Sequence, residues 1–397
     1  MFSVKTYCFE YGLSKRNKFC GISWFAFESL KRIAQSHPEH KFLFLFDRPF
    51  SKEYVFAENI TPVVIGPPTR HPFLWYLWVK FSLPKVLQKY KPDLFLSPDG
   101  FLPLKYKGKT VNVIHDVGFE HLNENLPLLA RMFYKKYFPL FAKQATRIAT
   151  VSQFCKDDII STYNIPSEKI DVIYDGVNES FKPISEEQKN VVREKHTSGN
   201  EYFIAIGRLH LRKNTQRLLQ AFDAFKASTA SSLKLVIVGN IKWQSQEVKD
   251  VYDKMKFRED VIFAGRIEID VLKNLMGAAL ALVFVPHYEG FGLALLEAMN
   301  CDVPVISVDT TSLPELAGDA ALYVNALSVD SIKDGMIRIY KDGHLRSDLI
   351  EKGRKQRILF SWNKTAINLW RTINIAMNGQ NESEEIIEEE LYDGVSS

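Results

Sequence analysis

Three observations predict an α/β fold of two Rossmann-like, doubly wound domains facing a central cleft. Short β-branched and aromatic runs alternate with longer helical patterns. The chain of 397 residues is too long for one ordinary core. The alternation also breaks once, near residue 190, and then begins afresh.

In the first half the strand candidates are Ser3–Phe9, Lys41–Phe46, Pro62–Ile65, Asp93–Ser97, Thr110–His115, Arg147–Val151 and Asp171–Ile173. Helical patterns such as Trp24–Gln35 and Leu128–Gln144 separate them. Between Phe181 and Ser198, Pro183, a charged run and Ser198-Gly199 interrupt the apolar pattern, which predicts a hinge there. The second half offers strands Tyr202–Ile206, Leu233–Val238, Val261–Phe263, Ala281–Val285, Val303–Val308 and Ala321–Val324, with helices at Gln216–Phe225 and Val271–Leu280. Open α/β sheets bind ligands at the carboxyl ends of their strands, so a site shared by both domains is expected. From 379 to 397 the chain holds seven acidic residues and no Lys or Arg, which predicts an acidic, disordered tail.

Composition narrows the class. Hydrophobic residues make up 46% and charged residues 25%, as in globular proteins with a large core. No basic segment followed by an apolar run and a cleavage site opens the chain, and the longest apolar run, about Gly277 to Pro286, is far short of the ~20 residues of a spanning helix. The expected location is cytoplasmic, with a peripheral place at the inner face of the membrane left open. Cys8, Cys20, Cys155 and Cys301 lack metal-ligand spacing and fit reduced thiols, so no metal site is expected. Residues 1–185 carry 25 basic and 17 acidic residues, a balance that favours anionic partners such as phosphorylated substrates or anionic lipid. No basic-aromatic recognition motif accompanies it, so nucleic acid is not expected.

The most informative stretch is Pro286-His-Tyr-Glu-Gly-Phe-Gly-Leu-Ala-Leu-Leu-Glu297. A buried strand feeds a helix through a glycine turn, and backbone N–H groups at the helix start make an anion site suited to a diphosphate. Gly290 and Gly292 allow a phosphate close to the backbone, flanked by Phe291 and Leu293. Glu289 precedes the helix and Glu297 lies one to two turns into it, so the two carboxylates bracket a ligand rather than share a proton. Gly207-Arg-Leu-His-Leu-Arg-Lys-Asn214 follows the domain's first strand and brings Arg208, Arg212 and Lys213 to the same edge, where cations neutralise a diphosphate leaving group.

With these motifs the sequence resembles the family 4 glycosyltransferases of group 1 type, which have the GT-B fold. The signature of a Glu, seven residues and a second Glu is present as Glu289 and Glu297. The resemblance implies that Glu289 contacts the transferred sugar, Glu297 the ribose, and Arg208 and Lys213 the diphosphate. Val113-Ile-His-Asp116 resembles the strand that carries a histidine near the sugar, which implies a catalytic role for His115. Val236-Ile-Val-Gly-Asn240 and Phe263-Ala-Gly-Arg-Ile267 resemble the loops that hold the base, implying Gly239, Asn240, Arg266 and Ile267. Ala149–Gln153 and Val172–Asn178 are similar to the segments that close the first domain. The family's glycine-rich loop after the first strand stands here as Phe19-Cys20-Gly21-Ile22-Ser23, with one glycine; Gly21 is the diphosphate candidate and Ser23 a helix cap. Phe360-Ser-Trp362 and the helix after it resemble the segment that returns to the first domain. The implied domains are 1–183 for the acceptor, joined by a helix at about 362–377, and 199–360 for the donor.

The implied reaction is retaining transfer of a hexosyl unit, mannosyl or glucosyl, from a UDP- or GDP-type sugar to a glycan or lipid-linked glycan in bacterial surface polysaccharide or lipopolysaccharide synthesis. Cationic side chains stabilise the departing diphosphate without a metal, and no other cofactor is implied. The alternatives are another GT-B enzyme, such as a nucleotide-sugar epimerase or a glycogen-type synthase, or a non-catalytic sugar-nucleotide-binding protein. His71-Pro-Phe-Leu-Trp-Tyr-Leu-Trp-Val-Lys80 reads either as a core helix or as a segment lying on an anionic membrane through Trp75 and Trp78.

Overall fold

The computed structural model describes residues 5–10, 21–69, 72–122, 128–207, 209, 211–240 and 246–379. Two compact units divide the chain: residues 1–176 with 361–397, and residues 177–360.

In the first unit, strands β1 (Thr6–Glu10), β2 (Lys41–Phe46), β3 (Ile60–Val64), β4 (Leu94–Ser97), β5 (Lys109–Val113), β6 (Arg147–Thr150) and β7 (Ile170–Val172) form one sheet in the order β3-β2-β1-β4-β5-β6-β7. Every pairing is parallel. Parallel strands covered on both faces read as continuous apolar runs, and Phe42 to Phe46 are all buried. The order turns back between β1 and β4, which opens a crevice beyond their carboxyl ends. Trp362–Asn378 forms a helix that packs on the helix Gly21–Ser36. Its Trp370 meets Tyr7 edge to face at 5.2 Å, and Thr365 Oγ1 donates to the Tyr174 carbonyl at 2.7 Å. The chain leaves this unit at Gly176 and returns beside it: a Cβ on Gly176 would stand 2.1 Å from the Trp362 nitrogen.

The second unit repeats the plan. Strands β8 (Tyr202–Ile206), β9 (Lys234–Val238), β10 (Val261–Gly265), β11 (Ala281–Val283), β12 (Val305–Val308) and β13 (Ala321–Val324) lie parallel in the order β10-β9-β8-β11-β12-β13. The turning point falls between β8 and β11.

Two expectations need correction. The charged run expected as a hinge is the helix Glu186–Thr197, with a capping box in which Ser185 and Gln188 bond reciprocally and a left-handed C-cap at Ser198. Its charges form a solvated face, while Thr197 is buried and Arg193 Nε donates to the Ala278 carbonyl at 3.3 Å. Ser23 does not cap its helix, because Gly21 is already helical and Ser23 stands in the first turn. Residues 380–397, most of the expected tail, lie outside the described residues.

Segment 71–80 also resolves. His71 lies outside the described residues; Pro72–Leu77 is a helix that runs into a π-helical turn, Trp78–Ser82. Trp78 is 1% exposed and donates from Nε1 to the Ile65 carbonyl at 2.8 Å. Trp75 is partly buried, 3.9 Å from the Phe101 ring. Trp78 lies in the core and Trp75 packs against it; the exposed aromatics here are Phe73 and Phe81. No described helix is long and apolar enough to cross a membrane.

Candidate functional site

In the second unit the loops that follow β8 and β11 meet at the turning point of the sheet. Leu211–Lys213 makes one 3-10 turn after β8, and Asn214 then enters the left-handed region (φ 56°). The buried Asn214 amide donates to the carbonyls of Val285 (3.0 Å) and Ala326 (2.7 Å), which ties this loop to the segment after β11. His287 N donates to the Arg212 carbonyl at 2.9 Å, and Arg212 Nε donates to the Tyr288 carbonyl at 3.0 Å. Lys213 Nζ donates to Glu289 Oε2 at 2.5 Å and lies 4.9 Å from the Phe284 ring centroid. A lysine and a glutamate separated by 76 residues in sequence thus form a half-buried ion pair at the turning point of this sheet.

Beyond Glu289 the chain turns into the helix Leu293–Asn300 through Gly292, whose φ is 111°. A Cβ there would stand 2.6 Å from Leu313 Cδ2, so both conformation and space require glycine. Ser312 Oγ donates to the carbonyls of Glu289 (3.0 Å) and Phe291 (2.8 Å) and holds the turn in place. Gly290, Phe291 and Leu293 take their places along this turn, with Phe291 packed 6.1 Å from Phe360. Glu297 projects from the second turn of the helix, and burial pushes its carboxyl up to about 7. Among the described residues, no side chain or amide donates to it.

The neighbouring strands extend the same edge. Gly207 N bonds the Val238 carbonyl and Gly239 N the Gly265 carbonyl, each at 2.9 Å. Gly239 with exposed Asn240, and exposed Arg266 with half-buried Ile267, therefore lie side by side at the ends of β9 and β10. Lys213, Glu289, Gly290 to Leu293, Glu297 and the four β9–β10 residues share one sheet edge. Arg208, a diphosphate candidate, lies outside the described residues.

His115 and Gly21 belong to the first unit. His115 follows β5; its Nε2 pairs with the Pro98 carbonyl at 2.8 Å, so Nε2 carries the proton and Nδ1 the lone pair. Burial lowers its pKa, outweighing Pro98 and Asp116, and the ring stands perpendicular to Phe25 at 5.1 Å. Gly21 is the first described residue of its helix. Next to His115, on the loop after β4 at this sheet's own turning point, lies Asp99. Burial pushes its carboxyl up to about 6 although Ser97 Oγ donates to it at 3.1 Å. Sequence reasoning missed Asp99, Asn214 and Ser312. Ser-Pro-Asp-Gly reads as an ordinary turn, and the only signal for Asp99 was its position just past a strand. Among the described residues no group of three or more His, Cys, Asp or Glu side chains is placed to hold a metal.

A sheet edge that joins an ion pair, a glycine turn at a helix start and a recessed carboxylate suits a ligand with an anionic group, in an α/β protein of doubly wound sheets. Comparison with known proteins agrees. The model for Glycosyltransferase Family 4 matches residues 21–181 and that for Glycosyl transferases group 1 matches residues 186–356. O-antigen chain mannosyltransferase B of Escherichia coli is 29% identical over 277 residues, which are 70% of this chain and 72% of that protein. Two solved structures share the fold. WaaG, a glycosyltransferase involved in lipopolysaccharide biosynthesis, superposes with a TM-score of 0.71 at 16% identity, over 94% of this chain and 100% of that one. HepE of Anabaena in complex with UDP-glucose gives 0.71 at 15% identity, over 93% and 99%. The chain belongs to the group 1, family 4 glycosyltransferases and has their two-domain GT-B fold. It is an enzyme, a glycosyltransferase.

Proposed function

We propose that the protein transfers a hexosyl unit, mannosyl or glucosyl, with retention of configuration, from a UDP- or GDP-type sugar to a glycan or lipid-linked glycan of a bacterial surface polysaccharide or lipopolysaccharide. The observation that carries this reading is the Lys213–Glu289 pair at the turning point of the second sheet, beside the glycine turn at the start of the helix Leu293–Asn300. The mannosyltransferase relative supports the sugar and the kind of product. The HepE complex supports a nucleotide diphosphate donor. The alternatives, an epimerase, a glycogen-type synthase or a silent binding protein, are not favoured by these relatives.

In this reading Arg208, Lys213, Gly21 and the amides of Gly290 to Leu293 take the diphosphate, and Glu297 the ribose. Gly239, Asn240, Arg266 and Ile267 take the base. The second unit is the donor domain and the first the acceptor domain, which includes the helix Trp362–Asn378. As the bond to the anomeric carbon breaks, negative charge grows on the leaving phosphate, and preformed cations and amides there lower the barrier more than they stabilise the bound donor. Arriving donor draws Lys213 toward its phosphate and leaves Glu289 to face the sugar. His115, neutral with its Nδ1 lone pair available, accepts a hydrogen bond from a sugar hydroxyl. The departing phosphate takes the acceptor's proton, so no second carboxylate base is required.

Binding and slow hydrolysis across UDP-, GDP-, ADP- and TDP-sugars test this. One preferred donor is expected, bound at least tenfold more weakly by Arg208→Ala or Lys213→Ala. Glu289→Ala is expected to turn it over about 10²-fold or more slowly, the usual scale for losing one preorganised polar group. A protein that binds none of these donors lacks the diphosphate site, and the reading falls.

A further inference from the structure

The first unit contains a cavity of about 180 Å³ whose walls include Val79, Leu102, Leu104, Phe133 and Phe141. Two exposed lysines, Lys80 and Lys105, complete its solvent end, and no acidic residue lines it. A dry cavity of about 150 Å³ holds a benzene molecule, so this space accepts a hydrocarbon segment of roughly six or more carbons.

The local backbone is built around it. The π-helical turn Trp78–Ser82 is a rare conformation that recurs at functional sites, and it supplies both Val79 and Lys80. Lys80 Nζ donates to the Tyr76 hydroxyl at 2.6 Å and lies 4.9 Å and 5.3 Å from the Tyr76 and Phe81 ring centroids, which fixes a cation beside the opening. Phe73 and Phe81 on segment 72–82, and Leu129 and Met132 on the helix Leu128–Gln144 that supplies Phe133 and Phe141, are exposed apolar side chains on the elements that line the cavity. The loop after β4 runs from Pro98, whose carbonyl pairs with His115 Nε2, to Leu102, Leu104 and Lys105 at the cavity, all within the first unit.

We propose that this pocket receives the first carbons of the hydrocarbon chain of a lipid phosphate that carries the acceptor glycan, with Lys80 and Lys105 on the phosphate. The proposal rests on the transferase reading and names the acceptor's carrier. An apolar chain alone has no use for two lysines, and a free phosphate has none for an apolar cavity; an amphiphile with an anionic head uses both.

The test is titration of the full chain with farnesyl phosphate, with farnesol, inorganic phosphate and phosphatidylglycerol vesicles as comparisons. Farnesyl phosphate is expected to bind, farnesol at least tenfold more weakly, and phosphate not at all. Leu104→Trp, which fills the cavity, and the surface pair Lys80→Glu with Lys105→Glu are each expected to weaken farnesyl phosphate at least tenfold. Both variants should still bind the nucleotide sugar, which reports an intact fold, and Leu104→Trp should still bind vesicles. Farnesyl phosphate that fails to bind, or binding that survives Leu104→Trp and falls only with the lysines, overturns the pocket in favour of adsorption at the surface. Because the donor titration is separate, this failure is distinct from failure of the transferase reading.

Discussion

Both units wind their sheets in the same way, out from the first strand in one direction and then back to continue in the other, yet the two turning points are furnished differently. In the second unit the loops after β8 and β11 are bound by an ion pair, an asparagine amide and a serine hydroxyl acting on backbone carbonyls. In the first unit the loop after β4 is held mainly by rings: Phe101 touches Trp75, Tyr134, Phe138 and Phe141 within 3.9 to 6.2 Å. A charged, exchangeable fastening suits a ligand that arrives as a polyanion. A loop clamped by aromatic packing keeps its shape whether or not a ligand is present and offers apolar surface beside it. One topology therefore supplies two kinds of loop junction because the fold fixes where loops converge, while the side chains fix what converges there.

Experiments on stability sharpen this contrast. Trp78→Ala should cost about 3–5 kcal/mol, the usual loss for a large buried aromatic, and should lower the melting temperature of the first unit while donor affinity holds. Donor affinity that falls in step would break the division between the units. Gly292→Ala should cost about 1–3 kcal/mol through its φ of 111° and the contact with Leu313, and here donor affinity should fall with stability if the turn belongs to the proposed donor site. A third effect, which depends on pH, is expected at Glu297. Burial raises its folded-state pKa from 4.5 to about 7, so its contribution is complete below about 4.5 and is lost as pH rises through 7. Glu297→Gln should therefore melt several degrees above the parent protein at pH 8, with the difference closing toward pH 4.5. An equal shift at both pH values would mean that the carboxyl does not titrate in that range.

The sheets were legible from sequence because buried parallel strands leave unbroken apolar runs: Lys41–Phe46, Tyr202–Ile206 and Ala321–Val324 begin and end in the structure where the pattern places them. The glycine turn at 290–292 was legible because its chemistry is local. What failed depended on direction or on partners. The charged run at 186–197 conceals a helix, since a solvated helical face and a loop share a composition. Trp75 and Trp78 suit a membrane surface or a core equally until the packing of Ile65 and Phe101 decides. The motifs of Lys213 and Glu289 were each visible, but their pairing across 76 residues was not. Asp99 left no trace beyond a turn, because a raised pKa is a property of the surroundings and not of the residue type.

The closeness of Gly176 to Trp362 makes residues 177–360 a cassette with both ends fastened at one point, inserted into a fold that its own last helix completes. A chain cut after 360 would lose Trp370 from beside Tyr7 and leave the first core open. The cassette, by contrast, is one uninterrupted stretch of chain, and a homologous segment joined between the same two residues would exchange one unit while leaving every residue of the other in its own sequence.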